Sequence, residues 1–168
     1  MQNTDNTFKV GDCAVYPSQG VGVIEAIESR EFSGVRNEFY VLRIVDTDMT
    51  IMVPVGNVEQ VGLRRLISKQ QVSRIYRILE DKPSDGLGSI QSWSRRQREY
   101  QEKIKSGDPL EVAEVLRELY LIKEDKELSY GEKKVLELAR KLLVSEIARA
   151  EGKDEDKVAQ RVEKMLLN

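Results

Sequence analysis

The sequence has no histidine, one cysteine and one tryptophan among its 168 residues. Without histidine, neither a Ser-His nor a Cys-His catalytic pair can form within the chain, and no imidazole can ligate a metal. The single cysteine, Cys13, excludes an intrachain disulfide and a thiolate metal cluster. Carboxylates and lysines remain, but they show no recognisable catalytic spacing, and no G-x-x-x-x-G-K-[ST] phosphate loop is present. We therefore expect a protein that is not an enzyme and needs no cofactor or metal.

Long apolar runs are also missing, so no segment reaches the length needed to cross a bilayer. The first seven residues lack the basic and apolar regions of a signal peptide. Hydrophobic residues make up 40% of the chain and charged residues 33%, which fits a soluble folded protein. These features predict a cytoplasmic protein with no membrane partner. The length allows one medium domain or two small ones.

The front of the chain has the pattern of short strands joined by turns. Strand-like runs occupy residues 13–16, 21–27, 39–45 and 50–54, with Gly, Pro and Asp between them. Several strands of this length and spacing predict a small β-barrel of the SH3 or Tudor type over residues 1–67. The exposed edge of such a barrel is either an aggregation liability or a docking site, and the sequence leaves both open.

The back of the chain has the punctuation of helices. Ser68 predicts the start of a helix that runs to about Leu79. Residues 83–88 are expected to be a hinge or domain boundary, so that 68–88 is a helix and linker. A helical domain is expected over 89–168. Within it, Asp108 followed by a proline begins one helix, and the capping box that starts at Ser129 begins a longer one. The predicted fold class is α+β, a small barrel followed by a compact helical domain.

Trp93 stands at the head of one predicted helix and is followed by Arg95, Arg96 and Arg98. Residues 89–107 hold five basic and two acidic side chains, a local charge of +3 in a chain whose net charge is −2. An aromatic ring beside a basic cluster can contact DNA, because the ring stacks or wedges while guanidinium groups hold phosphates. A net-acidic chain with one basic patch binds free DNA weakly.

A second interpretation places Trp93 in the core. If a helix begins near this residue, Trp93, Gln97, Tyr100 and Ile104 fall on one face, which is the pattern of a buried stripe. The chain would then be a protein–protein adaptor whose two domains both bind proteins. Periodicity alone leaves both interpretations open.

Several motifs together carry a resemblance to a known family. In the front half they are Phe8-Lys9-Val10-Gly11-Asp12, Val15-Tyr16-Pro17 and Gly20-Val21-Gly22. In the back half they are Trp93-Ser94-Arg95-Arg96, Val112-Ala113-Glu114-Val115-Leu116-Arg117 and Leu128-Ser129-Tyr130-Gly131-Glu132-Lys133. With these motifs, spread over roughly residues 8–150, the chain resembles the CarD family of bacterial transcription factors, and within it the short stand-alone form often called CdnL.

The resemblance implies a division of labour between the two domains. The Tudor-like domain would bind the RNA polymerase β subunit, and the helical domain would contact promoter DNA near the −10 element, at the upstream edge of the transcription bubble. A tryptophan matching Trp93 would sit in the minor groove and stabilise the open complex. A monomer tethered by polymerase has no need of strong affinity for free DNA, since tethering raises the effective concentration of a weak site. The implied location is cytoplasmic, with the nucleoid reached through polymerase.

The resemblance also implies site residues. The implied DNA contacts are Trp93, Arg95, Arg96, Arg98 and Lys133. The implied polymerase contacts are Arg30, Met52, Val53 and Pro54. Met52 stands where some members have an arginine, so the contact there is expected to be apolar or made by the backbone.

Overall fold

The computed structural model describes residues 7–81 and 93–167, with only the backbone described for residues 93 and 94. The chain divides into two compact units, Met1–Leu66 and Ile67–Asn168. The prediction of a small β unit followed by helices is confirmed. The helix of the predicted segment 68–88 packs within the helical unit. The predicted hinge of that segment lies outside the described residues.

The first unit is built on a curled antiparallel sheet of four strands in the order β1-β2-β3-β4. The strands are β1 (Cys13–Tyr16), β2 (Gly20–Phe32), β3 (Val35–Ile44) and β4 (Thr50–Pro54). A 3-10 turn, Val55–Asn57, and a one-turn helix α1, Val58–Val61, follow the last strand. A bridge between Val15 and Arg64 then returns the chain to β1.

The hairpin of β2 and β3 is much longer than the sequence predicts. Both turn residues have positive φ, 52° at Ser33 and 80° at Gly34. Two such residues in succession form the tight turn whose twist matches that of paired strands. The pairing therefore continues to Phe32 and Val35, beyond the predicted strand ends at residues 27 and 39.

The sheet closes around a small apolar core. Tyr40 and Phe8 are almost completely buried, and their rings meet edge to face with centroids 5.6 Å apart. The Tyr40 hydroxyl accepts a hydrogen bond from the Phe8 backbone N–H at 3.0 Å. Gly22 is required where two strands meet in this core, because an added Cβ would lie 2.7 Å from Cδ1 of Leu42.

In the described part of the second unit there are five helices. They are α2 (Lys69–Glu80), α3 (Trp93–Ser106), α4 (Pro109–Asp125), α5 (Tyr130–Glu151) and α6 (Glu155–Leu167). Among the described residues, no helix is long and apolar enough to cross a membrane. One buried core runs through the unit, with Leu116, Leu119 and Ile147 at its centre.

Three of the predicted helix starts are confirmed, since each of the three has its cap. Ser68 and Ser129 both form capping boxes, and Asp108 accepts a hydrogen bond from Leu110 N–H at 2.9 Å. The buried carboxylate of Glu146 on α5 accepts the backbone N–H of Ile67 at 3.0 Å. This hydrogen bond joins Ile67, the first residue of the helical unit, to α5.

Candidate functional site

The outer face of the sheet carries an apolar row. Val53 is 1% exposed and belongs to the core, and side chains alternate along a strand, so its neighbours Met52 and Pro54 face outward. In the register of the sheet, Met52 lies opposite Val41, and Val41 lies opposite Ala26. These outward residues form a half-buried to exposed apolar strip across three strands.

Arg30 lies on the same outer face, farther along the hairpin. It stands opposite Asn37, which is three positions from buried Tyr40 and therefore faces outward. The Arg30 guanidinium makes an ion pair with Glu28 at 3.1 Å, and both side chains are about half exposed. The structure thus places Arg30 and Met52 on one surface. Because the side chain of Val53 is buried, only its backbone is available to a partner.

The tip of the hairpin extends this surface with aromatic and aliphatic side chains that sequence reasoning missed. Phe32 and Val35 are each 59% exposed. The ring of Phe32 meets that of Phe39 at a centroid distance of 6.5 Å. We call Arg30, Phe32, Val35, Phe39 and Met52 the sheet surface.

Strand β4 forms one edge of the sheet. Within the described residues its backbone pairs with β3 on one side only. An edge strand with unpaired amide and carbonyl groups is a template for strand addition by another chain. The edge and the sheet surface meet at Met52.

Helix α3 begins at Trp93, whose side chain lies outside the described residues. Arg95 and Arg98 on the first turns of α3 are exposed. Arg96 is different, since it is only 6% exposed. The three arginines of this motif therefore divide into two solvent-facing side chains and one buried side chain.

The Arg96 guanidinium makes a buried ion pair with Glu132, which is 2% exposed, at 3.0 Å. The second oxygen of Glu132 accepts the backbone N–H of Ser129 at 2.8 Å, and the Ser129 hydroxyl accepts the Glu132 N–H at 3.2 Å. One carboxylate thus caps α5 and holds α3. This ion pair, which sequence reasoning missed, joins the heads of the two helices.

Both partners of this ion pair are held in their charged forms. Burial alone would raise the pKa of Glu132, but hydrogen bonds from Ser129 and Arg96 outweigh it and lower that pKa. Burial would likewise lower the pKa of Arg96, but hydrogen bonds with Tyr100 and Glu132 raise it. The pair is therefore ionised at neutral pH.

Lys133 follows Glu132 directly and is exposed. Tyr130, the first residue of α5, is 75% exposed, and its ring lies 5.1 Å from Nζ of Lys134. Because the Arg96–Glu132 pair joins the heads of α3 and α5, Arg95, Arg98 and Lys133 lie at the same end of the helical unit. We call these three side chains the basic cluster.

Models of known families match both units. The model described as CarD, C-terminal domain matches residues 74–163, and the model described as CarD-like/TRCF RID domain matches residues 8–67. The chain belongs to the CarD family and is a transcription regulator of that family.

A curated relative supports this assignment. YdeB of Bacillus subtilis (strain 168), whose name describes it as a transcription factor, is 35% identical over 151 residues. The match covers 90% of this chain and 97% of the relative.

Two solved structures are similar to part of the chain. The N-terminal domain of CdnL from Myxococcus xanthus is 52% identical, with 41% of this chain and 93% of that chain covered and a TM-score of 0.33. The N-terminal domain of Myxococcus xanthus CarD is 37% identical, with 35% and 79% covered and a TM-score of 0.31.

Proposed function

We propose that this transcription regulator binds the β subunit of RNA polymerase through its sheet unit and stabilises the open promoter complex through its helical unit. The observation that carries the proposal is the buried Arg96–Glu132 pair. It holds the head of α3, which begins at Trp93, beside the head of α5, so that an aromatic residue and a basic cluster share one end of the unit. This is the combination that a wedge at a DNA fork requires.

Polymerase binding is assigned to the sheet surface and to the edge of β4. Main-chain hydrogen bonds from β4 would add a strand of the β subunit to the sheet, and Met52 and the hairpin tip would cover the junction. Arg30 supplies the charged anchor. Its present partner, Glu28, is exposed, so the guanidinium can exchange that pair for a carboxylate of polymerase at little cost.

DNA binding is assigned to Trp93 and the basic cluster. Arg95, Arg98 and Lys133 face solvent and can hold phosphates, which positions the unit without reading sequence. Arg96 is assigned a different role from the one its motif implied. Its guanidinium is buried against Glu132, so it positions α3 and leaves the phosphates to its neighbours.

The lifetime of the open complex tests this proposal. Polymerase, promoter DNA and the full chain form the complex, a competitor traps released polymerase, and the decay is followed with and without the chain. We expect the chain to lengthen the lifetime at promoters of different sequence. An unchanged lifetime, with polymerase binding intact, would favour the protein–protein adaptor instead.

A further inference from the structure

A groove between the C-terminal part of α4 and the N-terminal half of α5 is not part of the surfaces described above, except for Lys133. The groove has a volume of about 460 Å³. Its floor includes Leu128 and Leu136, each only 7% exposed. Its cations are Lys123, Lys126, Lys133 and Arg140.

The α4–α5 groove carries a net positive charge. Two carboxylates, Glu127 and Glu137, also line it, which leaves two positive charges in excess. Within the part of the chain that the structure describes, none of the four cations lies within ion-pair distance of a carboxylate. Nζ of Lys123 lies 5.0 Å from the ring centroid of Tyr120. A groove that has an excess of cations, none of them in a close ion pair, is suited to an anionic ligand.

The α4–α5 groove lies next to the basic cluster on α5. Lys133 belongs to both, and Arg140 follows it on α5 after seven residues, which is two helical turns on the same side. At a rise of 1.5 Å per residue the two cations are about 10 Å apart along the helix. That length can follow more than one phosphate of a DNA strand, since charges on one strand are spaced by about 3.4 Å along the duplex axis.

We propose that the α4–α5 groove binds the phosphate backbone of promoter DNA and extends the contact that begins at the basic cluster. The inference rests on the proposed function and adds Lys123, Lys126 and Arg140 to it. An acidic amphipathic peptide is the other ligand that such charges could take. The two floor leucines are almost completely buried, so they offer little apolar surface to a peptide side chain, and this favours the phosphate backbone.

Salt dependence distinguishes a phosphate contact from other effects of a mutation. Each phosphate neutralised by a cation releases counterions, and the logarithm of affinity then falls against the logarithm of salt concentration with a slope of about −0.9 per contact. The quantity to measure is the affinity of the full chain for the polymerase–promoter complex over a series of KCl concentrations. The same series with polymerase alone supplies the reference slope.

The groove variant is Lys126→Ala with Arg140→Ala, and the matched control is Lys157→Ala with Lys164→Ala, which removes two exposed cations outside the groove. We expect the groove variant to lose roughly 1.8 from the promoter-dependent slope, about 0.9 for each contact, while the control keeps the slope. Glu137→Gln removes a carboxylate from the groove and should raise affinity. Circular dichroism verifies that each variant is folded.

The outcomes separate this inference from the proposed function. If the wild type has the same slope with and without promoter DNA, the chain does not neutralise phosphates and the proposed function fails. If the wild type shows a promoter-dependent slope that the groove variant retains, only the groove inference is overturned. An equal loss in the control would overturn it as well. Binding of a polyglutamate peptide that the groove variant abolishes, with an unchanged promoter slope, would assign the groove to an acidic protein segment.

Discussion

The two units hold their candidate functional arginines in opposite ways. On the sheet, Arg30 pairs with Glu28 at 3.1 Å and both side chains are about half exposed. In the helical unit, Arg96 pairs with Glu132 at 3.0 Å and both are buried. The two distances are nearly equal, so distance does not show which pair the fold depends on. Burial does.

The difference follows from the solvation of charge. An exposed ion pair is worth about 0–1 kcal/mol, because water screens it and each partner is solvated when they part. A buried pair whose partner is removed leaves an uncompensated charge, which costs about 3–5 kcal/mol. We infer that Arg30 can change its ion-pair partner on binding, whereas Arg96 is needed for the stability of the fold.

The largest effect is expected from Arg96→Met. This change leaves the buried Glu132 without its guanidinium, and the free energy of unfolding should fall by about 3–5 kcal/mol. Urea denaturation of the full chain measures it. Arg95→Ala, which removes an exposed arginine from the same turn, should change stability by less than about 0.5 kcal/mol.

The double variant Arg96→Met with Glu132→Gln tests the cause of that loss. Glutamine can still cap α5 through its amide oxygen, and no buried charge is left without a partner. Most of the stability lost in Arg96→Met should return. If the double variant is as unstable as the single one, the loss comes from packing and the ion pair does not matter.

The second effect concerns the sheet. Arg30→Glu should weaken binding to a β-subunit fragment by roughly 2–5 kcal/mol if the arginine becomes buried in the interface, and by less if it stays at the rim. Arg36→Glu is the matched control: the same charge reversal on the same hairpin, but on the face shared with Tyr40. Calorimetry of the full chain with the fragment measures both. Equal losses in the two variants would point to net charge and remove Arg30 from the interface.

Local signals explain how much of this fold could be predicted. The caps at Ser68, Asp108 and Ser129 were predicted because a helix start depends on a few adjacent residues. The length of the β2–β3 hairpin was not predicted, because its turn depends on a positive φ at Ser33. Few residues other than glycine adopt a positive φ. The strands near this turn are rich in charged residues, so they lack the alternation of apolar and polar residues that predicts a strand.

The candidate site shows the same limit. Glu132 was predicted as part of a capping box, and it is one. Its pairing with Arg96, which is 36 positions away in the chain, depends on how α3 and α5 pack, and no spacing in the sequence encodes that. Arg95, Arg96 and Arg98 looked equivalent as a basic run, and only the packing of α3 separates the buried member from the exposed ones.

The third effect concerns Trp93. A ring that stacks at the edge of the bubble slows re-pairing, and base–aromatic stacking is worth about 1–3 kcal/mol. Trp93→Ala should therefore shorten the open-complex lifetime on the order of 5- to 150-fold, while polymerase affinity stays the same. Lifetime and thermal unfolding are measured on the same variant. If Trp93→Ala unfolds the protein, the ring is core; if it folds and still prolongs the complex fully, the wedge is wrong.

A fourth and smaller effect concerns the exposed members of the arginine motif. Arg95→Ala with Arg98→Ala should reduce the effect on open-complex lifetime at every promoter and make it less salt-dependent, because phosphate contacts confer affinity without reading sequence. Lys105→Ala, an exposed cation near the other end of α3, is the control. A loss confined to promoters of one sequence would indicate direct base contacts.

The smallest effect is a difference in acid sensitivity caused by the buried pair. The pKa of Glu132 is lowered from its ordinary value of 4.5, because hydrogen bonds to its carboxylate outweigh burial. A carboxyl whose pKa is lower in the folded state stabilises the fold above its unfolded pKa, and that stability is lost as pH falls through the folded value. Between neutral pH and pH values below about 4, wild-type unfolding free energy should therefore decline more than that of Arg96→Met with Glu132→Gln, which has no ionisable pair. Urea denaturation over a pH series measures both. Parallel declines would mean that Glu132 binds protons equally in the folded and unfolded chain, and the ion pair would then contribute nothing to the acid response.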